Sequence, residues 1–253
     1  SRDWIGKIPL YIHNTNKYII ASELKSILTQ EGINDIQIVP KNSLIEINLD
    51  TDDFKVHENF YFKFSNEVTK PNSHEEVGKT TFKLLETAVD KRLLSDVPIA
   101  TSLSGGIDSA IITYLLKQRI PNIKAYTIAF DQTSKDLQKA RVCAKAIDVE
   151  LVEVFVPRDE NIIKQRFFDA INVIEYPSTV QMEVGILQSF IAEEMVKDGI
   201  KVAFSGEGSD ESKVGDIADP QASIPRYPIA PSPGDDVCGN VSSNVSTLSL
   251  AKQ

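Results

Sequence analysis

From Ile99 onward the chain alternates short apolar runs with amphipathic stretches, and no other feature limits its possible folds as tightly. Runs at Ile99–Leu103, Ile123–Phe130, Leu151–Val156 and Lys201–Phe204 have the length and apolar character of buried strands. Between them, Asp108–Lys117, Lys135–Ala146, Asn161–Val173 and Met182–Lys197 carry helical periodicity. Strands separated by helices at this spacing pair in parallel through crossover connections, so the expected fold class is α/β, a doubly wound parallel sheet. Ligands of such sheets bind outside the carboxyl ends of the strands. The loops beginning at Ser104, Asp131, Pro157 and Ser205 are therefore the ones to inspect. A further helix precedes the first strand: Ser73 and Glu76 form a capping box, and Val77, Leu84, Leu85, Ala88, Val89 and Leu93 are expected to share one apolar stripe.

Three zones are expected: 1–68, 73–211 and 212–253. The first reads as β-rich. Ile8–Ile12 and Lys17–Ala21 flank the turn signal Asn14-Thr15-Asn16, and Ser22 stands as N-cap of a short helix. Asp35–Val39, Ser43–Leu49 and Asn59–Phe64 complete the predicted strands, and Lys70-Pro71-Asn72 is the linker. The last zone holds five of the twelve prolines, is rich in serine and lacks periodicity, so an extended or disordered tail, or a disconnected segment, is expected. Asn240-Val241-Ser242 and Asn244-Val245-Ser246 match the glycosylation pattern, without a secretory signal to bring them to that machinery.

A hydrophobic share of 42% and a charged share of 25% over 253 residues exclude a disordered chain or a coiled coil. The apolar runs are too short for a membrane span. Thirty-six acidic against twenty-seven basic residues, a net charge of −9, oppose the phosphate attraction on which nucleic-acid binding rests. Two cysteines, Cys143 and Cys238, form neither a disulfide framework nor a CxxC site, and Cys143 reads as a buried small hydrophobe. Ser1-Arg2-Asp3-Trp4 opens no signal peptide, and a cytoplasmic location is expected.

Two loops carry chemistry. Ser104-Gly105-Gly106-Ile107-Asp108-Ser109 follows a strand directly and opens a helix. Adjacent glycines let backbone N–H groups approach an anion, the helix start adds partial positive charge, and two serine hydroxyls add hydrogen bonds. The loop lacks the GK[ST] ending of a Walker A motif. Asp108 would repel phosphate unless a cation stood between them, which points to Mg²⁺; the alternative is a Ser/Gly turn capped by Asp108. The second loop, Ser205-Gly206-Glu207-Gly208-Ser209-Asp210-Glu211, packs three acids into five residues. A metal ligand at Asp210 and a working carboxylate at Glu207 account for that density; the alternative is an exposed acidic turn.

These two loops, together with Leu94-Ser95-Asp96-Val97-Pro98, closely resemble the synthetase domain of glutamine-dependent asparagine synthetases. The first is similar to that family's PP-loop, the signature of N-type ATP pyrophosphatases. Arg2-Asp3-x-x-Gly6-x-x-Pro9-Leu10-Tyr11 and Ala21-Ser22-Glu23-x-Lys25 resemble the closing part of the family's class II glutaminase domain. The resemblance covers about residues 1–30 and 73–211. It implies a PP-loop type of doubly wound sheet, preceded by a β-rich glutaminase remnant. It also implies an ATP-dependent ligase that adenylates a carboxylate, releases pyrophosphate and passes the acyl group to ammonia from glutamine. By motif position, Leu103, Ser104, Gly105, Gly106, Asp108 and Ser109 would hold ATP and its pyrophosphate. Ile128, Ser205 and Gly206 would flank the adenine, Asp108 and Asp210 would bind Mg²⁺, Glu207 would act in forming the acyl-adenylate, and Asp3 would be a glutamine-binding remnant. Implied partners are ATP, an amino acid such as aspartate, and ammonia or glutamine, with a homodimer or a separate glutaminase portion beside them and neither nucleic acid nor membrane.

The chain departs from the family in three places. The glutaminase part starts at its last third, without the N-terminal cysteine nucleophile, so no glutaminase activity is expected from this chain alone. Ser212-Lys213-Val214-Gly215 does not match the Gly-Gly-Tyr segment that follows the second loop, so a fragment or truncated product is expected. Glu175–Leu187 lacks the Thr-Thr-Ile-Arg-Ala-Ser wording that meets aspartate in some members, and Glu183 stands where an arginine often does. Three functions follow in order of expectation: an asparagine synthetase-type ligase, a related adenylating cyclase or amidotransferase with another acceptor acid, and a truncated nucleotide-binding homologue without turnover.

Overall fold

The computed structural model describes residues 1–14, 18–29, 35–51, 53–61, 73–175 and 179–207. The chain divides into two compact units, one carrying the described residues to 61 and the other those from 73 onward.

The first unit is antiparallel. β1 (Tyr11–Asn14) lies between β2 (Tyr18–Ala21) and β3 (Gln37–Ile38), with α1 (Leu24–Leu28) beside them. Tyr11, Ile27 and Ile36 form the buried centre. The expected turn at 14–16 falls largely outside the described residues, although β1 and β2 pair as a hairpin requires. β4 (Leu44–Asn48) and β5 (Asp53–His57) make a separate two-stranded ladder.

Three readings of this unit need correction. Glu23, not Ser22, occupies the N-cap of α1, with extended backbone and no side-chain cap bond. The strand expected near 59 lies earlier, as β5. Asn48 Oδ1 accepts the N–H groups of Asp50 and Thr51, closing an Asx turn that folds Asp53–His57 back on β4. Asn59 then turns the chain with φ 53°, and residues 62–64 lie outside the described ones. Leu49, expected within a strand, is exposed beyond the end of β4.

The second unit begins with α2 (His74–Arg92), whose Ser73 hydroxyl accepts from Glu76 N–H at 3.1 Å. β6 (Ile99–Ser102), α3 (Ile107–Lys117), β7 (Lys124–Ala129), α4 (Lys135–Ile147), β8 (Glu150–Phe155), α5 (Glu160–Ile174), α6 (Thr179–Lys197) and β9 (Val202–Phe204) follow. All strand pairs are parallel, in the order β8-β7-β6-β9. The expected doubly wound sheet is therefore present, with element ends shifted by one to three residues.

Side chains alternate across the sheet as strand geometry dictates. Ala125 packs with Leu115 and Leu116 of α3, Ala140 and Ala144 of α4, and Val89 of α2 on one face. Ala100, Tyr126 and Val154 meet Phe190, Ile191 and Met195 of α6 on the other. The stripe read along α2 is narrower than expected: Leu85, Val89 and Leu93 pack, whereas Leu84 is 65% exposed and Val77 also faces solvent.

At the amino edge of this sheet, Asp198 accepts from Lys124 Nζ at 2.8 Å and from the buried Tyr126 hydroxyl at 2.6 Å, tying the end of α6 to the start of β7. The Lys124 ammonium, then the Tyr126 hydroxyl, hold the Asp198 carboxyl below its usual range against a smaller opposing effect of burial. A carboxyl held lower in the folded state stabilises above its unfolded pKa, about 4, and loses that contribution as pH falls through the folded value. Tyr126→Phe should cost about 1 kcal/mol at pH 7. The gap in urea midpoint between the parent and Asp198→Asn should be open at pH 7 and close below pH 4; a gap unchanged with pH would mean that Asp198 adds nothing through its charge.

Candidate active site

Successive strands β6, β7 and β8 step to one side, and β9 then returns to the other side of β6. The order of strands thus reverses between β6 and β9. Crevices at such reversals, outside the carboxyl ends, are where doubly wound sheets bind ligands. Both chemistry-bearing loops leave the sheet at this reversal, from neighbouring strands in register at Thr101 and Phe204.

The first loop starts from buried Leu103, whose N–H donates to Tyr126 O at 2.8 Å. Gly105 has φ 82°, and a Cβ there would stand 2.6 Å from the backbone of Lys139 and Ala140. Only glycine fits both constraints. Gly106 is the N-cap of α3, with no side-chain cap bond, so Asp108 lies in the first turn and is not the cap. The hydroxyls close on their own loop: Ser109 Oγ accepts from Ser104 N–H at 3.2 Å, lies 3.0 Å from Ser104 Oγ, and donates to Gly106 O at 3.0 Å. Ser104 Oγ accepts from Gly106 N–H at 3.3 Å.

The second loop lies against the first. A Cβ on Gly206 would come within 2.6 Å of Ser109 N and 2.8 Å of Asp108 C. Below them Thr101 Oγ1 donates to Phe204 O at 3.3 Å and lies 3.3 Å from the hydroxyl of buried Thr113 on α3. This buried link joins the roots of both loops.

Ser104, Gly105, Gly106, Asp108, Ser109, Ser205 and Gly206 are thus brought together at one crevice. Glu207 is exposed in the second loop, and Gln188 Nε2 of α6 donates to its Oε1 at 3.3 Å. Ile128 lies partly buried near the carboxyl end of β7, beside the second core cluster. Asp210 and the tail beyond it lie outside the described residues. Among the described residues, no group of three acidic, histidine or cysteine side chains could hold a metal. Asp3 sits in the first unit, where its carboxylate accepts N–H groups from Ile5, Gly6, Lys7 and Ile8. Burial raises its pKa, but these four donors outweigh burial and hold it below the ordinary value.

The asparagine synthase family model matches residues 81–228, a segment that contains the whole of this crevice. The chain belongs to the asparagine synthase family. It is 35% identical over 161 residues to amidase chyE of Penicillium rubens, covering 56% of this chain and 23% of that one. It is 26% identical over 238 residues to asparagine synthetase [glutamine-hydrolyzing] 1 of Bacillus subtilis, covering 83% and 36%. Over 225 residues it is 28% identical to a putative asparagine synthetase [glutamine-hydrolyzing] 1 of Methanocaldococcus jannaschii, covering 83% and 40%. The chain therefore spans from under a quarter to two-fifths of the length of these relatives.

Two contacts among the loops at the carboxyl ends of these strands left no mark in the sequence. One is Gln188 on Glu207. The other is Arg158, which pairs with Asp131 at 3.2 Å and so joins the loops after β8 and β7. The hydroxyl and N–H of Thr133, with Arg158, hold the Asp131 carboxyl below its usual range. Neither pair follows from periodicity, because each depends on how elements apart in the sequence are seated side by side.

The two loop glycines should respond differently to a methyl group. Gly105→Ala meets positive φ and backbone overlap together and should cost more than about 2 kcal/mol. Gly106→Ala, at φ −74° with Ser104 Oγ 3.4 Å away, should stay within about 1 kcal/mol of the parent. Thermal melting of the two variants checks the pair, and equal losses would contradict this packing of the loop on α4.

Proposed function

We propose that the second unit is the ATP-pyrophosphatase synthetase domain of an amide-forming ligase, and the first the closing part of a class II glutaminase-like domain. The observation that carries this reading is the seating of Gly206 on Ser109 at the strand-order reversal, which brings the two signature loops together. Backbone donors of Ser104–Ser109 and the start of α3 suit a pyrophosphate. Leu103, Ile128, Ser205 and Gly206 suit the nucleoside end of ATP.

The chain's residues have distinct tasks in this reading. Asp108, in the first turn of α3, would hold Mg²⁺ with Asp210. The cation would neutralise charge on the departing pyrophosphate. The loop N–H groups and the Ser104 and Ser109 hydroxyls, now bonded to one another, would turn to the phosphate oxygens and stabilise the charge that develops there. Seating a carboxylate beside the α-phosphorus turns adenylation into an oriented, near-unimolecular step. Glu207, reaching from a loop between glycines, would serve carboxylate activation and the attack of ammonia. Asp3 would face glutamine through Oδ2, which takes one backbone donor where Oδ1 takes three.

Aspartate is the acceptor that the asparagine synthetase relatives suggest. A second acceptor acid is favoured by Glu183, an exposed carboxylate in α6, and by the amidase name of the fungal relative. No helix among the described residues is long and apolar enough to cross a membrane.

Asp108→Ala should abolish ATP-dependent pyrophosphate release while leaving the fold intact, and EDTA should weaken ATP binding in calorimetry. Binding equally tight with EDTA and in the variant would remove the metal bridge. In the full chain supplied with ammonia, aspartate and Mg-ATP, Glu207→Gln should keep ATP affinity and lose about 10²-fold or more in AMP formation. Parental turnover would take Glu207 out of the reaction, and lost ATP binding would make it a metal ligand.

A further inference from the structure

The side chain of Glu207 belongs to a loop, but the group that meets it belongs to the sheet's best-anchored helix on that face. α6 is fixed by Phe190, Ile191 and Met195, all buried against Tyr126 and Val154, and Ser189 Oγ returns to Ile186 O at 2.7 Å. Gln188 stands on this rigid segment, half-buried, and donates to Glu207 Oε1. Glu207 stands in the sequence between Gly206 and Gly208, neither of which has a side chain to restrict its rotamer.

We infer that Gln188 is a positioning residue for Glu207, its side-chain amide holding the loop carboxylate in one orientation at the border of the crevice. The inference rests on the functional reading above and adds to it the partner that aims the acid–base group.

The residue type suits that task. An amide N–H donates to a carboxylate without giving up its proton, so Glu207 keeps its charge and its capacity to exchange a proton. A lysine or arginine at position 188 would bind more tightly and neutralise it. The described arginines of this unit are engaged elsewhere: Arg166 with Glu193, Arg141 with Glu153, Arg119 with Asp90, Arg158 with Asp131, and Arg92 with Ala88 O. The carboxylate at the crevice is thus met by a neutral donor. Loss of that donor leaves Glu207 free to sample orientations that do not reach the substrate, and a displacement of about 1 Å is enough to cost two orders of magnitude in rate.

The test is a double-mutant cycle in the full chain, with AMP and pyrophosphate release as the readout. Gln188→Met, close in size and lacking the donor, and Gln188→Ala should each lower kcat about 10-fold to 100-fold, with KM for ATP within twofold and melting temperature unchanged. In the Glu207→Gln background the same substitutions should have no further effect, because there is no carboxylate left to aim. A role in packing alone would give equal losses in both backgrounds, and that result overturns the inference, as does unaltered kcat in the single variants. A parent chain that releases no AMP or pyrophosphate overturns the functional reading and this inference with it.

Discussion

The backbone of Gly206 runs so close to the first turn of α3 that no side chain fits between them. Much of the second unit follows from that approach. β9 must lie beside β6, in parallel and in register, for its loop to arrive there. Thr101 can then reach both Phe204 O and Thr113, so that one buried hydroxyl pair ties the strand, its neighbour and the helix together. A buried polar pair of this kind is favourable because its partners are present. Moving β9 would strand it.

The unit's treatment of charge is consistent with an anion site made of backbone. The chain carries nine more negative than positive charges, and the arginines of the second unit are bonded to carboxylates or carbonyls of their own unit. In the first unit Arg2 donates to Ile8 O, Gly6 O and Val39 O and acts as a clamp. At the crevice stand the start of α3, a glycine-rich turn and the acidic residues Asp108 and Glu207. The partial charges of a helix terminus act over the first turn alone, and Asp108 and Ser109 stand in that turn of α3.

The α/β half was legible because a helix period and a strand period differ enough to separate buried segments of ten residues from those of five. Every element from Ile99 to Phe204 lies within two or three residues of its expected ends. The β-rich half was harder. Asp53-Phe54-Lys55-Val56-His57 alternates correctly, but its charged residues outweigh two apolar ones, and the aromatic cluster after Asn59 was the stronger signal. What decides the pairing is Asn48, whose side chain turns the chain, and a single Asx residue is a weak mark in a sequence. On α2, Val77 and Leu84 fit the period and still face solvent, since period gives direction without saying where a neighbour ends. At the crevice the loops were readable from residue type, whereas Gln188 meeting Glu207 depends on which turn of α6 stands level with the end of β9.

The mutual bonding of Ser104 and Ser109 has a thermodynamic consequence. These hydroxyls satisfy each other, Ser104 N–H and Gly106 O. An anion bound there, as proposed, would swap partners with groups already bonded, and the net enthalpy would be the small difference between two sets of bonds. Affinity at such a site comes mainly from displaced water and from charge. Discrimination comes from shape, because a ligand whose oxygens miss the new positions loses the old bonds without gaining others. In the proposed reading the loop would yield at low cost only to a group of matching geometry.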